Sequence, residues 1–251
     1  MKTAHYYFFL IPLILSGCIN NTISKIPDKL VVLTFDDSVA SHARFVAPYL
    51  KDMGFGATFF ITEGFDFKKD KLHYMNWQEI KQLDRDGFEI GNHTKAHIPV
   101  TKQSDAMLKQ AIDYIDEQCK NHQIIKPISF CYPNYKTTET AVKQLLDLGF
   151  KYARAGGNRA FDPEVDNPLL IPQAFDGKPD STLQDFIRSA KLAQGNKIAV
   201  MTFHGVPDIK HPWVSTDVEK FKSYMNYLKE NHFTVISMRE LSKYIKQENR
   251  L

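Results

Sequence analysis

Four times along this chain a helical pattern closes on a short breaker and reopens as a strand-like run led by an aromatic: Met53-Gly54-Phe55, Asp86-Gly87-Phe88, Leu148-Gly149-Phe150 and Asn231-His232-Phe233. Glycine after the last helical turn takes the left-handed conformation that ends a helix, and the aromatic behind it starts the next strand. The strand-like runs are residues 30–35, 57–61, 88–92, 128–132, 152–155, 198–203 and 234–237. Helical patterns lie between most of them, at 39–53, 104–121, 139–148, 183–192, 218–230 and 239–247. Such alternation predicts a parallel α/β sheet, because successive parallel strands need a crossover. With about seven strands in 251 residues, and 43% hydrophobic residues to fill a core, closure into a barrel is favoured. No linker or composition shift divides the chain, and residues 156–172, polar and rich in Pro and Gly, read as a long loop.

The first strand carries the chemistry. Residues 30–38 read LVVLTFDDS, a near-continuous apolar run ending on two adjacent carboxylates, Asp36 and Asp37. An apolar run without alternation suits a strand covered on both faces. Paired acids at its end are costly unless something compensates. Adjacent strand residues point to opposite sides, so the two carboxylates serve different purposes, one holding a metal and the other acting as a base. The alternative is that they cap the following helix. The other reactive residues also fall just past strands: His93 and His97 after the third, Pro133 and Asn134 after the fourth, Arg154 near the end of the fifth, and His204 after the run 198–203. Parallel α/β folds build their sites at the carboxyl ends of strands, and scattered histidines would not collect there.

Residues 1–17 stand apart from the fold. Lys2 followed by the apolar run YYFFLIPLIL (6–15) is of signal-peptide length and too short to span a bilayer. Leu15-Ser16-Gly17-Cys18 then resembles a bacterial lipobox, which implies cleavage before Cys18 and a lipid on its sulfur; the alternative is a plain secretory signal. On this reading the mature protein is exported to the bacterial cell envelope and anchored to the membrane by lipid, with a tether over 18–28 and one domain over 29–251. A net charge of +3, evenly spread, argues against a nucleic-acid partner, and Lys68-Lys69-Asp70-Lys71 reads as a solvated loop. Cys119 and Cys131 are left either as a pair or as two buried thiols.

His93-x-x-x-His97 sets two imidazoles one helical turn apart, and with Asp37 they make a set of two nitrogens and one oxygen with a position open for water. That is a catalytic rather than a closed structural pattern. Zinc is the first candidate, and cobalt, nickel or manganese suit the same donors.

Taken together, Thr34-Phe35-Asp36-Asp37 and His93-Thr94-x-x-His97 resemble the first two motifs of the NodB-like polysaccharide deacetylases of carbohydrate esterase family 4, over nearly the whole mature chain. The resemblance implies a distorted (β/α) barrel of about seven parallel strands acting on an N-acetylated polysaccharide or oligosaccharide. By the same match Asp36 is the base, Asp37, His93 and His97 hold the metal, and His204, in Thr202-Phe203-His204-Gly205, is the general acid. The third motif departs from the pattern. Phe130-Cys131-Tyr132-Pro133-Asn134-Tyr135 keeps Pro133 and the oxyanion loop near Asn134 but puts Cys131 where an arginine normally pairs with the base. Arg154 is the candidate replacement, its alternative being an ordinary tethering arginine. The family's fourth-motif tryptophan has no match, so Trp213 either walls the acetyl pocket in its place or simply packs. Alternatives to an N-deacetylase are a carbohydrate O-acetyl esterase or other amidase on the same site, or an inactive glycan-binding barrel.

Overall fold

The computed structural model describes Met1 and residues 23–246, so Cys18 and nearly all of the expected leader lie outside the described residues. Its strands are β1 (Leu30–Phe35), β2 (Thr58–Ile61), β3 (Glu89–Asn92), β4 (Ser129–Cys131), β5 (Tyr152–Arg154), β6 (Phe175–Asp176), β7 (Ala199–Phe203) and β8 (Thr234–Ile236). All but β6 are expected from the sequence. They pair in parallel in the order β5-β4-β3-β2-β1-β7-β6, with β8 also on β1. One edge of β1 is shared: Leu30–Val32 face β8, whereas Thr34 and Phe35 face β2. The opening between β5 and β6 is crossed by residues 168–174, where Ala153 N–H donates to the Pro168 carbonyl, Ile171 N–H to Ala153 and Ala174 N–H to Val200. The result is the expected distorted (β/α) barrel.

Every residue of β1 is buried, and the alternation of side chains divides them between two cores. Val31, Leu33 and Phe35 face the outer layer, and Leu30 and Val32 face the barrel interior with Phe60, Tyr152, Ile171 and Val200. The outer layer is built by α1 (Ala47–Met53), α2 (Trp77–Arg85), α3 (Asp105–Asn121), α4 (Glu139–Asp147), α5 (Leu183–Ala190) and α6 (Val218–Glu230). The repeated punctuation does what its chemistry requires. Gly54, Gly87 and Gly149 adopt φ of 72°, 93° and 87°, and His232 takes the same left-handed role at 56°.

Two boundaries differ from expectation. The tether does not run free up to residue 28: Ser24 N–H donates to the Lys243 carbonyl, and Ile26 is buried in the inner core. The helix expected at 239–247 is a tight turn over Arg239–Lys243, because Met238, Leu241 and Ile245 are drawn together into that same core.

Candidate active site

Chain reversal directly after β1 sets the first two carboxylates. Asp37 and Ser38 sit at φ of 72° and 56°, a conformation that non-glycine residues hold only when their surroundings impose it. Here the Ser38 hydroxyl does so, donating to the Thr62 carbonyl at 2.8 Å and accepting from the Thr62 N–H at 2.9 Å. Neither Asp36 nor Asp37 caps a helix, since the helical segment opens at Ala40, behind Val39.

Asp37 Oδ1 lies 3.5 Å from His93 Nε2 and 3.4 Å from His97 Nε2. The imidazoles converge through a loop rather than a helical turn, with Thr94 and His97 at φ of 63° and 54°. His93 Nδ1 is 2.7 Å from the Cys131 carbonyl, which fixes its proton there and turns the Nε2 lone pair toward Asp37. Asn92 holds the loop from below, accepting from Thr94 N–H while its amide donates to the Ile112 carbonyl and Asp116.

These donors fit a divalent cation. Asp37 Oδ1 is buried without a hydrogen-bond partner, and donors about 2.1 Å from a tetrahedral ion stand roughly 3.4 Å apart, as observed. Burial pushes His97 down to about 4, aided by the neighbouring His93, so its lone pair is available. Asp37 is held far below the carboxylate range: burial alone would raise it, but the neighbouring imidazoles of His93, His204 and His97 prevail. A second convergence, of Asp36, His93 and Cys131, is unsuited to a metal because a cation already occupies it.

That cation is Arg154, which is fully buried. One terminal nitrogen of its guanidinium donates to Asp36 Oδ2 and lies 2.7 Å from Cys131 Sγ; the other donates to Gln173 Oε1 at 2.8 Å. Its faces are covered by the rings of Phe60 and Tyr135, with centroids at 5.7 and 5.4 Å. Gly91 makes room for this stack, because a Cβ there would lie 2.4 Å from the Phe60 ring. Burial would raise the Asp36 carboxyl, but Arg154, together with the imidazoles of His93 and His204, outweighs it and holds the group below its ordinary value. The arginine absent from the third motif is therefore supplied from the neighbouring strand, and the short Cys131 side chain leaves it the space.

His204 follows β7, with Nε2 at 4.0 Å from both Asp36 and Asp37. Its Nδ1 faces Asp176 Oδ1 at 4.0 Å, and neither atom has a hydrogen-bond partner. Asp176 belongs to β6, a strand too short for any periodicity, so sequence reasoning missed it. Gln173 was missed for a similar reason, lying in an irregular connection. Behind His204, Nε2 of the buried His42 meets the His204 carbonyl at 2.9 Å, and the Ser41 hydroxyl accepts from Val206 N–H at 2.9 Å. The turn carrying His204 is thus fixed at both ends. Burial lowers His42 to about 4, so its ring is neutral and donates through Nε2.

A cleft of about 530 Å³ opens over these groups, bordered also by Phe65, Tyr132, Asn134, Tyr135, Asp176, Lys178, His211 and Trp213. Asn134 and Tyr135, at φ of 55° and 59°, turn the backbone around its lip. Pro133 is buried beneath that turn and does not border the cleft. Trp213 is 66% exposed, on the rim rather than deep in a pocket. Cys119 and Cys131 are both buried and unpaired.

The carboxyl ends of β1, β3 and β7 thus meet at one acid–imidazole cluster. The family profile described as polysaccharide deacetylase matches residues 24–153. This chain belongs to the polysaccharide deacetylase family. Among curated relatives, a peptidoglycan-N-acetylglucosamine deacetylase of Bacillus cereus is 27% identical over 126 residues, covering 49% of this chain and 55% of the relative, so the chain spans about half of that protein. The fold resembles that of the Xyl-CE4 domain of a multidomain xylanase from the hindgut metagenome of Trinervitermes trinervoides, with a TM-score of 0.60 at 19% identity, covering 86% of this chain and 90% of the other. It also resembles BA3943, a CE4 family pseudoenzyme from Bacillus anthracis, with a TM-score of 0.59 at 19% identity, covering 86% and 66%.

Proposed function

We propose that this protein is a divalent-metal-dependent hydrolase that removes N-acetyl groups from an envelope or extracellular glycan. The observation that carries the reading is the division of labour between adjacent carboxylates: Asp37 faces two imidazoles, while Asp36 is paired with Arg154. Asp37, His93 and His97 would hold the ion, zinc being the first choice; once bound, it lowers the pKa of a water and polarises the acetyl carbonyl.

The remaining work belongs to the chain's own groups. Asp36, kept ionised by Arg154, takes a proton from the attacking water. Gln173 and the rings of Phe60 and Tyr135 keep the guanidinium aimed at Asp36. Backbone at the Asn134 turn borders the place where charge develops on the acetyl oxygen. His204, oriented from behind by Asp176, delivers a proton to the departing sugar amine, and the 4.0 Å separations tighten as substrate displaces water.

Export, a lipid on Cys18 and attachment to the membrane belong to the same proposal, supported by the leader-like residues 1–17. No helix among the described residues is long and apolar enough to cross a membrane. Fatty-acid labelling that vanishes in Cys18→Ala supports the anchor, and labelling that persists rejects it. The activity is tested by measuring acetate released from peptidoglycan, chitin oligomers and acetylated exopolysaccharides, with and without a chelator. Chelator-sensitive release is expected from one of them, and release from none rejects the assignment. An inactive barrel is disfavoured because the base, its cation, the metal donors and His204 are all present and convergent.

A further inference from the structure

Spread evenly along the sequence, the positive charge is not spread evenly over the fold. At the amino ends of the strands, where the tether joins the domain, four segments are bound to one another. Ser24 N–H donates to the Lys243 carbonyl, Lys29 N–H to Ala193, Thr234 N–H to Lys29, and Gly195 N–H to Asp28 Oδ1 at 3.0 Å. Those segments, residues 24–29, 191–197, 229–234 and 239–246, hold eight lysines and arginines against three acids. Lys25, Lys29, Lys191, Lys197, Lys229 and Lys243 are all exposed.

The charge on this face is largely unspent. Glu240 is taken up by Lys243 at 2.7 Å, but Lys29 and Lys229 rest on the carbonyls of Asn231 and Met53, at 3.1 and 2.7 Å, and keep their charge uncompensated there. Leu192, beside Lys191, is 39% exposed. A cationic face carrying an open apolar side chain fits an anionic lipid surface, with ammonium groups on the phosphates and the apolar group among the headgroups. The face also stands far from the chemistry. β1 starts beside it at Leu30 and ends at Phe35, so the acid–imidazole cluster lies about 20 Å away, at the opposite end of the barrel.

We infer that this face lies against the anionic phospholipid surface of the membrane, so that the active site opens away from the bilayer. The occupant is a bilayer rather than another polyanion because the tether leaves from this face. Cys18 precedes Ser24 by six residues, which reach about 20 Å at full extension, so a lipid on Cys18 keeps Ser24 within that distance of the membrane. The site then meets glycan standing off the membrane rather than sugars held at its surface. The orientation rests on the lipid proposed at Cys18, whereas the affinity for anionic lipid rests on the face alone.

The test sediments residues 19–251, which hold every strand and helix described and carry no lipid, with vesicles of phosphatidylcholine alone or mixed in equal parts with phosphatidylglycerol. Binding should favour the anionic vesicles and vanish in molar salt, where charges are screened beyond ~3 Å. Lys25→Glu, Lys191→Glu and Lys243→Glu should each weaken it by roughly fivefold or more. Lys102→Glu and Lys136→Glu, exposed at the site end of the barrel, should leave it unchanged. In the whole lipidated protein on the same mixed vesicles, Lys25, Lys191 and Lys243 should be shielded from a membrane-impermeant amine-acylating reagent while Lys102 and Lys136 react. Equal binding to both kinds of vesicle, or equal losses from reversals at both ends, overturns the surface, and equal acylation at both ends overturns the orientation. Preference for anionic vesicles in a chain that takes no fatty acid on Cys18 leaves the surface standing and rejects the anchor instead.

Discussion

Two buried carboxyl sites occupy opposite ends of the same strands, and they are treated in opposite ways. Glu89 opens β3, about 13 Å along the strand from His93. Both of its oxygens are satisfied by neutral donors: the Thr58 hydroxyl at 2.7 Å, the Ser129 hydroxyl at 2.6 Å and the Arg239 N–H at 2.7 Å. Burial raises its carboxyl above the ordinary range, and those hydrogen bonds only partly offset the rise. At the other end Asp36 and Asp37 keep buried oxygens without hydrogen-bond partners and are driven down, Asp36 by Arg154 with nearby imidazoles and Asp37 by imidazoles alone. The lower end spends its acid on joining β2, β3, β4 and the turn after β8. The upper end leaves acid capacity unspent, as a reactive site requires.

The contrast breaks most visibly at His204. An amine leaves poorly unless protonated as the C–N bond breaks, whereas an activated aryl alcohol needs no such help. His204→Ala should therefore lower N-acetyl hydrolysis by ~10²–10⁴-fold while costing an activated aryl acetate far less. Equal proportional losses on both substrates, with bound metal intact, would remove His204 from the role of acid.

Arg154→Ala tests what holds Asp36 low. With the guanidinium gone, burial is opposed only by the nearby imidazoles of His93 and His204, and the rate falls as pH drops through a higher Asp36 pKa. The acidic limb of the pH–rate profile should move to higher pH, and the fold should lose about 3–5 kcal/mol from the uncompensated buried charge. An unmoved limb would make Arg154 a tether only.

Glu89 sharpens the comparison from the other side. Glu89→Leu strands three buried donors and should cost about 3 kcal/mol in denaturant unfolding, without altering turnover per folded molecule. Because the folded-state pKa of Glu89 is raised, its contribution is complete below the ordinary glutamate range and is lost as pH rises through the folded value. Glu89→Gln, always neutral, should remove that alkaline loss. A pH-stability curve unchanged by Glu89→Gln would contradict the assignment.

The smallest effect is expected behind the site. His42→Leu removes the donor to the His204 carbonyl and should lower turnover of the amide by about tenfold, short of the ~10²-fold that a 1 Å misplacement costs. His42→Gln, which keeps an N–H, should recover most of it; equal loss in both variants would make His42 a packing residue.

Sequence made the barrel legible because its signals are local. A helix closes on Gly54, Gly87 or Gly149 whatever surrounds it, and β1 is apolar on both faces because both are covered. Asp36, Asp37, His93, His97 and His204 were legible for a related reason, since they lie in the segments that leave β1, β3 and β7. Arg154 could be nominated only because Cys131 stands where an arginine was expected; its contact with Asp36 is a matter of packing across β4 and β5. Asp176, Gln173 and His42 act through residues far from them in sequence, with no spacing to betray it. The His93–His97 spacing pointed to a helical turn, but left-handed residues at Thr94 and His97 bring the imidazoles together within a loop.

The central claim is that adjacent carboxylates do different work, and it is tested by measuring bound divalent metal and acetate release side by side in Asp36→Asn and Asp37→Ala. Asp36→Asn should retain the metal of the unaltered protein and lose ~10²–10⁴-fold in acetate release, whereas Asp37→Ala should lose both the metal and the activity. Full metal in Asp37→Ala, or metal lost equally from both variants, would contradict the division.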